Sequence, residues 1–462
     1  MARTAPLSGF PEWLPAERAV ELHVLDTLRE TFELHGFASL ETRSVEPLSQ
    51  LLRKGEIDKE VYVVRRLHAE PGADVDGDTL GLHFDLTVPF ARYVLQHGGH
   101  LTFPFKRYQI QRSWRGERPQ DGRFREFVQA DVDVVGVDTL PRHYEVDLPL
   151  VMVEALQRLD VGRVRMRVND RRVVEALVRG LDLPDVPPVL AAVDKLAKIG
   201  PEAVGALLRE RAGASREQAD AVLELAAVQG TDLTVLDVLV DRLGVGSDEL
   251  DAALPDLQAL VDAAEAVAPG VVVADLAVVR GLDYYTGSVY ETELVGSEDL
   301  GSICSGGRYD DLVSEGSTRH PGVGLSIGVS RLVSRLLRDG AVAATRAVPT
   351  AVLVAVLDEA DRGRSNAVAR ALRARGIPTD TAPTAAKLGR QIRHADRSGV
   401  PFVFFPAAGE DLLTGQVKDI RSGEQVDADA RTWSPPEEDR RLRVVRALTP
   451  ATASPAGATP AG

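Results

Sequence analysis

The residues best equipped for chemistry lie between Lys106 and Gly136, in KRYQIQRSWRGERPQDGRFREFVQADVDVVG. Phe127, Gln129, Asp131 and Asp133 alternate with Val128, Ala130, Val132 and Val134. A period of two predicts a strand with one polar and one apolar face. On the preceding strand Gln109, Gln111, Ser113 and Arg115 share a face, and Glu117, Arg118, Arg123 and Arg125 crowd the turn. A polar sheet face of this kind can be solvent-facing surface. It can also be a pocket floor with an arginine-rich lip, which suits an anionic ligand.

Two further stretches add candidates. Arg331 falls in the first turn of the amphipathic helix expected over 329–339. The helix macrodipole disfavours a cation there, unless an anion is held by both. A snorkelling surface arginine is the plainer reading. In VVRGLDYYTGSVYE, Arg280, Asp283, Tyr284 and Tyr285 fall within six positions, bracketed by Gly281 and Gly287. Tyrosine pairs commonly pack cores, but here they adjoin an arginine and glycines that permit close backbone approach. GVGLSIG has the wrong spacing for a dinucleotide fingerprint, and no GxxxxGK[ST] loop is present.

The remaining chain must position these groups. At 462 residues, two or three domains are expected. A single cysteine, Cys304, excludes an intramolecular disulfide framework and a cysteine-based zinc site, and suits a reducing cytoplasm. There is no secretory signal and no apolar run long enough to span a bilayer, so no membrane partner is expected. The net charge of −15 argues against indiscriminate nucleic-acid binding. Local patches remain: Lys106 to Arg125 holds seven basic and two acidic residues, and Arg362 to Arg397 nine and two.

Helices are expected over 16–35, stopped by Gly36, and over 141–159, with a strand at 163–169. Residues 171–266 read as four or five short helices with no strand signal, one opened by the capping box Ser215–Gln218. SGGRYDDLV reads as a Gly-Gly turn leading into a helix, GVGLSIG as a short strand, and 339–349 as a linker. Strand and helix then alternate from 350 to 406, a small α/β domain closed by a hairpin. The division is 1–340, with the helical insertion 171–266 inside it, then 348–435 and a disordered tail, 449–462.

FDLTVPFARY, RSWRGERPQDGRFREFVQADVDVVG, VVRGLDYYTGSVYE, SGGRYDDLV and GVGLSIGVSRL follow one another as in histidyl-tRNA synthetases, a family of class II aminoacyl-tRNA synthetases. KLGRQIRHADRSGVPFVFF resembles that family's anticodon-binding domain, and the likeness spans about residues 8–430. RGLDYYTG is the most family-specific piece. The class I signatures HIGH and KMSKS are absent.

The resemblance implies an α+β fold, with an antiparallel sheet flanked by helices, and a homodimer in the cytoplasm. L-histidine and ATP, with Mg2+, would give histidyl-adenylate and pyrophosphate, and the histidyl group would pass to the 3′ end of its tRNA. Arg115 would grip the α-phosphate and the histidine carboxylate, and Arg280 would stabilise charge there as the carboxylate attacks. Glu117 would accept from the adenine amino group, and Arg123 and Arg331 would hold the β- and γ-phosphates. Asp85, Thr87 and Gln129 would accept from the ammonium. Asp133 and Tyr285 would read the imidazole, with Tyr284 and Tyr309 completing the wall. Arg118 and Gln120 lie in the loop that would approach the tRNA acceptor end. No protein side chain is assigned to the metal.

Two departures are visible. Arg43 stands where class II chains usually carry a first-motif proline, and Ser330 where many relatives carry an acid. A rival from another class is a histidine-sensing paralogue like the regulatory subunit of ATP phosphoribosyltransferase. Such chains usually lack the anticodon domain and lose ATP-binding arginines, whereas Arg115, Arg123, Arg280 and Arg331 are all present.

Overall fold

The computed structural model describes residues 5–52, 60–68, 79–279, 285–315 and 318–446. Arg280, Tyr284 and the 449–462 tail lie outside the described residues. The chain divides into two compact units, Met1–Pro11 with Val24–Ser334 and Glu12–His23 with Arg335–Gly462.

The first unit is built on a nine-stranded sheet. In spatial order its strands are Ala38–Ser39, Phe105–Trp114, Glu126–Val135, Gly322–Gly328, Cys304–Tyr309, Ser288–Leu294, Val164–Asp170, Val272–Asp275 and Gln229–Gly230. The middle of the sheet is antiparallel, and single parallel pairings join Ala38–Ser39 to Phe105–Trp114 and Val164–Asp170 to Val272–Asp275. Val128, Ala130, Val132 and Val134 are buried on one face, where the helix His143–Arg158 packs.

The other face decides between the two readings of the polar alternation. Gln109, Ser113, Asp131 and Asp133 are also buried, at 0–3% exposure, so this face is a floor and not wet surface. Gln109 Nε2 donates to Thr42 Oγ1 (2.9 Å), and Gln111 Nε2 to the Thr42 carbonyl (2.8 Å). Those two glutamines therefore tie the Thr42 segment to the strand beside it.

SGGRY forms a strand instead of the expected Gly-Gly turn, and no helix follows it. Glycine in a strand interior often marks a place where another group approaches the backbone closely. A Cβ on Gly307 would lie 2.7 Å from the Tyr285 ring, and one on Gly306 2.1 Å from the Gly324 carbonyl oxygen. The stretch 339–349 is not a plain linker, because Val342–Ala344 pairs with Val444–Arg446.

Residues 171–267 carry six helices, among them Arg171–Gly180 and Asp248–Val267, plus the two-residue edge strand Gln229–Gly230. Their core includes Val174, Val189, Val204, Leu208 and Val222. The Ser215–Gln218 capping box forms with both hydrogen bonds.

In the second unit a five-stranded sheet runs Thr379–Thr381, Val352–Val354, Phe402–Pro406, Thr414–Asp419, Gln425–Asp429. The first three are parallel and the last two form an antiparallel hairpin. The helices Arg362–Ala374 and Leu388–Arg397 supply the crossovers, and Arg373, Lys387, Arg390 and Arg393 are exposed on them or beside them. Among the described residues no helix is long and apolar enough to cross a membrane.

Candidate active site

Because side chains two apart on a strand share a face, the sheet register lays polar residues in rows across the floor. One row is Arg107, Asp133, Gly324, Gly307. The next is Gln109, Asp131, Ser326, Ser305. Each row mixes side chains with glycine or serine, so the floor is concave.

In the first row Asp133 pairs with Arg107 at 2.7 Å and accepts from the Tyr309 hydroxyl at 2.6 Å. Arg107 is fully buried, and its guanidinium lies 4.3 Å from the Phe90 ring centre. Burial and the neighbouring Asp133 charge hold the Tyr309 hydroxyl well above its ordinary pKa, so it acts as a neutral donor. Replacing Arg107 with methionine would leave Asp133 buried without its cation. We expect a loss of about 3–5 kcal/mol of stability, read by denaturant unfolding. A loss below about 1 kcal/mol would mean that Asp133 is not held as an ion.

A small pocket opens above these rows, lined by Thr87, Asp131, Asp133, Tyr285, Ser305, Gly306, Tyr309, Gly324, Leu325 and Ser326. Thr87 opens the helix Thr87–His97, and Asp85 Oδ1 accepts from the Val88 N–H of that helix (3.1 Å). Tyr285 is held through its backbone, where Arg171 Nη1 from the helical insertion donates to the Tyr285 carbonyl (3.0 Å).

Beside it lies an open cleft lined by Arg115, Glu117, Arg123, Phe127, Gln129, Ser302, Ser305, Ser326 and Arg331, among others. Ser305 and Ser326 line both spaces. Arg115 Nε donates to the Phe84 carbonyl (3.0 Å), and its guanidinium sits 5.1 Å from the Phe127 ring centre. Glu117 stands between Arg123 at 3.4 Å and Arg115 at 3.9 Å. Arg331 donates from Nε to the Gly122 carbonyl (3.0 Å) and from Nη1 to the Ser302 carbonyl (2.5 Å), so it is anchored in the cleft and is not a snorkelling surface arginine. Ser330 Oγ accepts from the Val128 N–H (2.8 Å), which fixes the start of that helix to the return strand.

The structure thus gathers Arg115, Glu117, Arg123, Gln129 and Arg331 in the cleft, and Thr87, Asp133, Tyr285 and Tyr309 in the pocket. Asp85 is buried close by without lining either, and Arg118 and Gln120 are exposed on the loop. Arg43 at the departure from the first motif pairs with the buried Glu46 at 2.6 Å. Arg107, Asp131, Ser305 and Ser326 had no role assigned to them from the sequence. Asp131 was signalled by its period-two spacing between Gln129 and Asp133, whereas the serines reach the floor only through sheet register. Cys304 lines the cleft, but burial pushes its thiol up to about 12, too high for a thiolate nucleophile. Among the described residues no cluster of His, Cys, Asp or Glu could hold a metal ion.

A large antiparallel sheet bearing an arginine-lined cleft, with a separate α/β unit after it, is the architecture of class II aminoacyl-tRNA synthetases. The histidyl-tRNA synthetase family model matches residues 9–332, and the anticodon binding domain model matches 351–431. The chain belongs to the histidyl-tRNA synthetase family. It is 55% identical to a histidine–tRNA ligase of Cutibacterium acnes over 96% of this chain and 99% of that one. It is similar to the crystal structure of histidyl-tRNA synthetase from Nostoc sp. PCC 7120, with TM-score 0.81, 34% identity, and coverage of 93% and 97%. A structure from Bacillus halodurans titled as an ATP phosphoribosyltransferase regulatory subunit/histidyl-tRNA synthetase shares the fold at TM-score 0.69 and 20% identity, over 88% of this chain and 98% of that one.

Proposed function

We propose that the pocket holds histidine, the adjoining cleft holds ATP, and the shared serine boundary is where they react. The chain is a histidine–tRNA ligase: it activates histidine with ATP and then transfers it to tRNA. The observation that carries the division of labour is that a small polar pocket and a cation-lined cleft share Ser305 and Ser326. In the first step the histidine carboxylate attacks the α-phosphorus, the bond to the bridging oxygen breaks, and pyrophosphate leaves. The carboxylate is already ionised, so no general base is needed. The rate must come from positioning and cationic stabilisation.

Arg115 and Arg280 neutralise charge gathering at the α-phosphate. Arg123 and Arg331 hold the outer phosphates, and Glu117 accepts from the adenine amino group. Arg331 suits its part because two backbone carbonyls already fix it. Asp85, Thr87 and Gln129 accept from the ammonium, Asp133 and Tyr285 read the imidazole, and Tyr284 and Tyr309 complete the wall. Mg2+ enters with the phosphates of ATP. The cleft's one lining carboxylate among the described residues, Glu117, is paired to arginines, so the donor set suits phosphate and no protein ligand is assigned to the ion.

In the second step the tRNA 3′-terminal hydroxyl attacks the acyl carbon and AMP leaves. Arg118 and Gln120, exposed beside the cleft, contact the acceptor end, and 348–435 binds the anticodon. Working as a homodimer in the cytoplasm completes the reading.

Histidine-dependent ATP–pyrophosphate exchange tests it. Exchange with histidine and none with other amino acids is the expected result. Histidine binding without exchange would make the protein a histidine sensor instead.

A further inference from the structure

The pocket floor contains a carboxylate with work left to do. Asp131 is 3% exposed and lines the pocket, yet its Oδ1 has no hydrogen-bond partner. The neighbouring carboxylates each have a partner. Asp133 is held by Arg107 and Tyr309, and Asp85 by the Val88 N–H. On the same strand face Gln129 spends its Nε2 on Ser326 Oγ (2.8 Å), and its Oε1 is also without a partner. Two orphaned buried acceptors, two residues apart on one face, call for a donor with several hydrogens. Arg107 is ion-paired with Asp133 and only partly offsets the burial of Asp131, which itself forms no ion pair among the described residues. An ammonium group supplies both the donors and the charge.

We infer that Asp131 Oδ1 receives the α-ammonium group of the amino-acid substrate and so selects for a free amino acid. This rests on the assignment of the pocket to histidine made above. An unbound Asp131 is poorly placed to be charged: burial, with Asp133 and Asp85 nearby, raises its carboxyl to about 7, against the lowering effects of Arg107 and Ser326. Cys304 beside it stays a neutral thiol. The sign follows. Below about pH 7 the empty site is protonated and must lose that proton to bind an ammonium. Histidine binding through Asp131 therefore strengthens as pH rises through about 7.

Asp131→Asn keeps the shape and removes the charge. Its histidine KM in pyrophosphate exchange should rise roughly ten- to hundredfold at pH 8, the range for a charge-assisted hydrogen bond, with the ATP KM changed less than threefold. The ratio of variant to wild-type histidine KM should grow between pH 6 and pH 8; the substrate's own imidazole titration cancels in that ratio. Two inhibitors then separate ammonium from imidazole. The amino alcohol lacking the carboxylate should lose affinity for Asp131→Asn, and imidazole propionate, lacking the amino group, should not. Equal losses for both would overturn the ammonium assignment, as would an unchanged histidine KM.

Tyr309→Phe is the control for the pocket itself. If it raises the histidine KM while Asp131→Asn does not, only the role of Asp131 fails. If neither does, the pocket assignment fails. Should Asp131→Asn not fold, the wild-type protein still decides: affinity for the amino alcohol must rise through about pH 7 more steeply than affinity for imidazole propionate, and parallel profiles overturn the inference.

Discussion

Arg115→Ala should slow histidine-dependent pyrophosphate exchange on the order of 10²–10³-fold, the range for losing one preorganised donor to developing charge. The residue is built for that role. Its Nε is committed to the Phe84 carbonyl at 3.0 Å and its guanidinium leans on Phe127, so the fork is aimed before any ligand arrives. Glu117, at 3.9 Å from Nη1, is too distant to saturate it. Arg115→Lys keeps the charge but not the planar fork and should recover only part of the rate. The side chain is about one-third exposed, so stability should change little. A fall in exchange below threefold would remove Arg115 from the reacting centre.

Gly324→Ala should be severely damaging. Its Cβ would fall 2.0 Å from Asp133 Oδ1 and 2.6 Å from Cγ. Asp133 cannot simply swing away, because Arg107 and Tyr309 hold it at 2.7 and 2.6 Å. Displacing it breaks a buried ion pair, so about 3–5 kcal/mol of stability should be lost, and histidine activation with it. Gly328→Ala, on the same strand and face, is the matched control. Its Cβ would meet nothing closer than 3.8 Å, so its unfolding free energy should stay within about 1 kcal/mol of wild type. Equal stability for the two variants in denaturant melts would show that the Asp133 constellation is not rigid.

The sequence alone determined what depends on local order. Periodicity of two set the strands on either side of the basic loop, and periodicity near four set the helices His143–Arg158 and Val329–Arg338. Caps were legible because Ser215 and Gln218, or Gly36 at φ 74°, act over a single turn. The arginines of the cleft were also legible, since their motifs lie in contiguous stretches. What the tertiary structure decided is everything that depends on which strands become neighbours. Whether the polar face of Glu126–Val135 was wet or buried could not be read from alternation, which is the same in both cases. Ser305, Ser326 and Arg107 joined the site only because register placed them beside Asp131 and Asp133 across strands far apart in sequence. The glycines of SGG misled for the same reason: read along the chain they suggest a turn. Across the sheet Gly307, Gly322 and Gly324 are the gaps into which Tyr285, Tyr309 and Asp133 fit.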